Sequence, residues 1–171
     1  LDLPDGLLVI VVENKETFLA LPQAPDGSGA VLVWGSGYTA GALPELPWVR
    51  AARRVLYWGD ADADGYAILN ALRTRLAADG ASIPVVSVAM DVETAQRFLH
   101  LAVADPGDTT RVLPHLTDDE ERARRFLVAS GAKRLEQERV SLQWALAMPE
   151  FAAVWGGTVG GTNNVAGVDD D

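Results

Sequence analysis

Residues 55–65 read Val-Leu-Tyr-Trp-Gly-Asp-Ala-Asp-Ala-Asp-Gly: an apolar run breaks off into a turn bearing Asp60, Asp62 and Asp64 and closes on Gly65. A short continuous apolar run bounded by turn residues is the pattern of a fully buried strand. Like charges gathered at the mouth of that strand repel one another unless a proton or a cation stands between them. Oxygen-only clusters of this kind suit hard divalent ions such as magnesium. The segment therefore predicts a strand whose carboxyl end carries a metal site.

The rest of the chain supplies neighbours for that strand. Residues 7–12 form a second apolar run rich in Val and Ile, ending at Glu13, with a short helix expected over 14–19. Residues 22–29, with their Pro, Gly and Asp, predict a loop. Ala30–Trp34 predicts another strand, followed by a Gly35-Ser36-Gly37 turn and a short helix or turn over 48–53. Apolar residues at Ile68, Leu69, Leu72 and Leu76 give a helix over 65–77, and residues 84–89 give a fourth strand. Asp91 is expected to cap the next helix, and Thr117-Asp118-Asp119-Glu120 is a capping-box pattern. Residues 133–148 are expected to form a last amphipathic helix. The Gly-, Thr- and Asn-rich tail from Gly156, ending in three Asp residues, is expected to be disordered.

Strands alternating with helices predict an α/β fold with a mainly parallel sheet, whose functional edge lies at the carboxyl ends of the strands. Glu13, Asp60 and Asp91 all fall at such ends. At 171 residues the chain holds one full domain, placed at 7–155. Residues 1–6, opening on Leu1 rather than Met, are expected to be a truncated entry segment, with the tail filling 156–171. The absence of cysteine excludes disulfides and thiolate metal sites and fits a reducing compartment. The longest apolar run is too short to span a membrane, so a cytoplasmic location is expected. A net charge of −10 argues against indiscriminate nucleic-acid binding. The arginines cluster at 50–54, 73–75 and 122–139, the pattern of solvated helix faces paired with acids.

Three other chemistries could use the acidic turn. Asp60-x-Asp62-x-Asp64-Gly65 opens a calcium loop of the EF-hand type, but its twelfth position is Ala71 rather than Glu, and the preceding segment is strand-like. A phosphatase of the haloacid dehalogenase type places Asp-x-Asp after a strand with the first Asp as nucleophile. A non-catalytic module would use the same rim only to hold a metal and a nucleotide. As a purely structural turn, Asp64 or Asp62 would cap the helix, which explains one Asp but not three.

Glu13-Asn14-Lys15-Glu16-Thr17-Phe18 after a strand, Tyr57-Trp58-Gly59-Asp60-Ala61-Asp62 with Gly65, and Arg134-Leu135-Glu136-Gln137-Glu138-Arg139 occur in that order. Together they resemble the family of the C-terminal domain of the Wadjet anti-plasmid defence protein JetD, which is similar to the Toprim domains of topoisomerases, primases and related nucleases. The resemblance runs from about Leu7 to Leu146. It implies a Toprim-like (Rossmann-like) fold and magnesium-dependent cleavage of double-stranded plasmid DNA, with manganese able to substitute. It implies Glu13 as the acid of the first strand and Asp60 and Asp62 as the Asp-x-Asp pair. It also implies a condensin-like SMC complex as partner and a second copy of the full-length subunit.

Glu13 suits either metal binding or proton transfer, since a carboxylate among carboxylates has its pKa raised. Asn14 and Lys15 suit phosphate contact or an exposed helix start, and Arg139 is a further candidate for DNA. Glu138 is expected on an apolar helix stripe, either paired with Arg134 or beside the metal as a fourth ligand. Glu136 is expected to be the more exposed of the two, and Asp64 is expected as the N-cap. Tyr38, Tyr57 and Tyr66 are expected to be packing residues, and His100 and His115 surface or capping residues.

Overall fold

The computed structural model describes residues 5–35, 41–78 and 83–156. Its frame is a parallel sheet of β1 (Leu8–Val12), β2 (Ala30–Trp34), β3 (Arg54–Trp58) and β4 (Val85–Ser87), in the order β2-β1-β3-β4. Every residue of β1 is buried and β3 is buried from Val55 onward, so the two central strands carry the unbroken apolar runs seen in the sequence. Their register pairs Leu8 with Arg54 and Val12 with Trp58, so both strands run out at the same edge. Strand order reverses between β1 and β3. The chain thus leaves these two strands in opposite directions and opens a crevice above them.

Among the described residues the helices are α1 (Lys15–Ala20), α2 (Pro47–Arg50), α3 (Ala63–Ala77), α4 (Val92–Phe98), α5 (Asp118–Ala129), α6 (Leu142–Ala147) and α7 (Pro149–Trp155). α3 buries Tyr66, Leu69, Leu72 and Leu76 at helical spacing, and Asp91 and the Thr117/Glu120 capping box open α4 and α5 as the sequence predicts. Glu120 also ties three elements together. It pairs with Arg73 of α3 at 2.6 Å and accepts from Ser87 of β4 at 2.5 Å. Burial alone would raise its pKa, but the hydrogen bonds from Arg73 and Ser87 outweigh that and hold it below the usual range.

The expected helix over 133–148 does not form. α5 ends at Ala129, Gly131 and Ala132 follow at positive φ, and β6 (Lys133–Arg134) then pairs antiparallel with β5 (Val103–Ala104). Leu135 bridges Ala61 in both directions, at 2.9 and 3.0 Å. A 3₁₀ turn, Gln137–Arg139, follows before α6. The backbone groups that would close helical turns bond to the acidic turn after β3 instead, so tertiary pairing overrides local propensity. Beyond α6, α7 stacks Phe151 edge-on against Trp58 at 5.8 Å and Trp155 at 5.1 Å. The expected entry segment and tail fall, but for Asp5, Gly6 and Gly156, outside the described residues, as do Ser36, Gly37 and Tyr38.

Candidate functional site

The topological switch between β1 and β3 places Glu13 and Asp60 on one rim. Glu13 follows β1 directly and its N–H still bonds to Trp58 O at 3.0 Å, which fixes it against β3. Its Oε2 accepts from the Tyr57 hydroxyl at 2.8 Å, and its carbonyl accepts from Trp34 Nε1 at 3.0 Å. Tyr57 is therefore more than a packing residue. Its hydroxyl and the Glu13 carboxylate lie over Gly59, where a Cβ would stand 2.5 Å from one and 2.6 Å from the other. Gly65 is equally constrained, since a Cβ there would meet Asp60 O at 2.0 Å. Both glycines permit a close approach at the acidic turn.

Asp60 is half-buried, and its Oδ1 accepts from the Gln137 N–H at 2.7 Å. Burial, then the charges of Asp62, Glu13 and Glu138, push its pKa up to about 7 against the lowering effect of that hydrogen bond. Asp62 is the N-cap of α3: its Oδ1 accepts from Asp64 N–H at 3.0 Å and Gly65 N–H at 2.7 Å. Burial raises Asp62 as well, reinforced by Asp105 and Asp64. Among the described residues Oδ2 of Asp60 and of Asp62 accepts no hydrogen bond. Asp64, expected as the cap, instead lies exposed in the first turn of α3 and pairs with Arg111 at 2.8 Å. Glu13, Asp60, Asp62 and Asp64 line one cleft of about 870 Å³, together with Ile68 and Arg75 of α3, Arg111 and Glu45.

The third motif closes the rim from a distant part of the chain. Asn14 N–H donates to Gln137 Oε1 at 2.8 Å, and Asn14 Nδ2 donates to Glu138 Oε2 at 2.9 Å. Glu138 is thus exposed on a 3₁₀ turn and bound to Asn14, not seated on an apolar helix stripe against Arg134. Arg134 pairs with Glu136 at 2.7 Å, and Glu136 is the less exposed of the two acids. Arg139 faces the same Glu136 at 3.5 Å. Lys15 lies 5.5 Å over the Trp34 ring, and Asn14 caps α1 by accepting from Thr17 N–H at 2.9 Å. His100 and His115 are exposed, and neither is among the residues lining the cleft. Tyr57, Gln137 and Asp105, which lies outside the three motifs, accepts from Ala63 N–H at 2.9 Å and raises Asp62 by its charge, are neighbours of the acidic rim that spacing alone did not reveal.

Among the described residues, no three carboxylate or imidazole side chains enclose a ready-made metal site. The donor chemistry nevertheless fits a hard divalent cation: oxygen-only and partly buried, with two aspartates that burial and neighbouring carboxylates raise, Asp62 and Glu13 acting on Asp60 and Asp105 and Asp64 on Asp62. The sequence model of the family described as Wadjet protein JetD, C-terminal, matches residues 5–148. The chain belongs to the JetD C-terminal family. The matched span contains Glu13, the Asp60–Asp64 turn and the 135–138 segment, and stops just before α7. A search of the curated proteins returned no match. Among the described residues no helix is long and apolar enough to cross a membrane.

Proposed function

We propose that this protein is a magnesium-dependent endonuclease that cuts double-stranded DNA as the nuclease subunit of a Wadjet-type defence system. The observation that carries the reading is Glu13 and the Asp60/Asp62 pair on one rim, at the switch point of a parallel sheet, in a chain of the JetD C-terminal family. Asp60, Asp62 and Glu13 would hold the cation, with manganese able to replace magnesium. Bound there, a divalent cation supplies charge neutralisation at a phosphodiester and a more acidic water.

The chain's own residues divide the remaining work. Asp62 keeps Oδ1 on the helix N–H groups, which leaves Oδ2 as the oxygen it can offer at the cleft it lines. Tyr57 holds Glu13 by its Oε2 and keeps that carboxylate from swinging away. Asp60, with a pKa near neutrality, is suited to pass a proton as readily as to bind a cation. Glu138 adds negative charge beside Asp60 and steadies Asn14. A condensin-like SMC complex would present the DNA, and a second copy of the full-length subunit would cut the other strand.

The test is supercoiled plasmid incubated with the reconstituted complex and magnesium or manganese, beside a small chromogenic phosphoester. Plasmid cleavage that disappears with Asp60→Asn and with chelator supports the reading. Turnover of the phosphoester alone would point to a phosphatase, and metal binding without either activity to a non-catalytic module.

A further inference from the structure

Gln137 is 1 % exposed, and its Nε2 is buried with no hydrogen-bond partner among the described residues. A buried amide donor without an acceptor lowers stability, and an apolar side chain of similar volume would carry no such penalty. The long-range hydrogen bonds that Gln137 makes both go to the acidic turns. Its N–H holds Asp60 Oδ1 at 2.7 Å, and its Oε1 holds the N–H of Asn14, the residue after Glu13, at 2.8 Å. The β1–β3 ladder makes its last contact at Glu13 N–H to Trp58 O. Gln137 therefore takes over where the sheet stops fixing the two turns. Beside it, Leu135 is locked to Ala61 and Glu138 to Asn14 Nδ2, so the segment has little freedom to shift.

We propose that Gln137 is a positioning residue for the cation site of Glu13 and Asp60: one side chain and its own main-chain N–H set the distance between acids carried by different strands. The inference rests on the nuclease reading. Groups that orient metal ligands typically change metal affinity or activity by about 10–100-fold when removed. Gln137→Met keeps the volume and removes the acceptor. Gln137→Asn keeps an amide but is one methylene too short to reach Asn14.

In the intact protein both variants should melt close to the wild type without metal, yet need about tenfold more manganese to reach half of the metal-induced stabilisation. In the reconstituted complex kcat should fall by about tenfold or more with KM for plasmid unchanged. Wild-type manganese midpoints and wild-type kcat in both variants would overturn the inference and leave the nuclease reading standing. Failure of both variants to fold would also overturn it, because the residue would then be structural. No manganese response in the wild type would overturn both readings together.

Discussion

Asp60 concentrates the electrostatic tension of the rim. Its pKa stands at about 7 in the folded chain against an ordinary value of 3.8. Between those values the folded protein keeps a proton that the unfolded chain has released, so the contribution of Asp60 to stability is fullest below about pH 4 and falls as pH rises through 7. The loss should be roughly 1–2 kcal/mol, below the ~4 kcal/mol of a fully enclosed group, because water still reaches the carboxylate. Melts in chelator at pH 5 and pH 8 should show that loss in the wild type and much less of it in Asp60→Asn, which should be at least as stable at pH 8. Magnesium or manganese at pH 8 should recover the stability of the wild type and do less for the variant. A variant that unfolds at both pH values would mean Asp60 is a structural cap. At this scale the sequence put Glu13, Asp60 and Asp62 at or just beyond strand ends, and the fold brings all three to one cleft. The sequence was misleading about Asp64 and Glu138, because which of three alternating carboxylates caps a helix depends on backbone dihedrals that the pattern does not encode.

Among the elements, α3 does two jobs at once. Its first turn is capped by a site residue, and its middle is anchored by Arg73, which donates to Glu120, Val85 O and His115 O. Because Asp62 caps α3, anything that lets the helix slide moves the acidic rim. Arg73→Met removes the guanidinium and leaves Glu120 buried without its countercharge, which should cost about 3–5 kcal/mol. Urea unfolding monitored by tryptophan fluorescence measures this; a loss under ~1 kcal/mol would mean that Ser87 and the capping box hold Glu120 by themselves. The boundaries of β2 and α3 and the starts of the capped helices were legible within a residue or two, since apolar spacing and capping residues act locally. The 133–140 segment was not. Leu135 and Gln137 are buried there because Ala61, Asp60 and Asn14 stand opposite, and those partners are distant in sequence.

For the whole molecule, charge governs how DNA can be met. The net charge is −10, and several arginines are already committed to acids: Arg73 to Glu120, Arg124 and Arg125 to Glu121, Arg122 to Asp119 and Arg134 to Glu136. Duplex binding by this protein without partners should therefore be weak and should fall steeply with added salt. Fluorescence anisotropy with a labelled duplex across a salt series measures it, and tight, salt-resistant binding would show a cationic face that this charge pattern does not provide. The sequence by itself determined the parallel sheet and the two acidic strand ends, because burial of apolar runs and repulsion between carboxylates are written residue by residue. Only the tertiary structure decided that strand order reverses between β1 and β3, that Asp62 rather than Asp64 caps α3, and that Gln137 joins Asn14 to Asp60. Those outcomes depend on which distant backbone groups find one another once the core has closed.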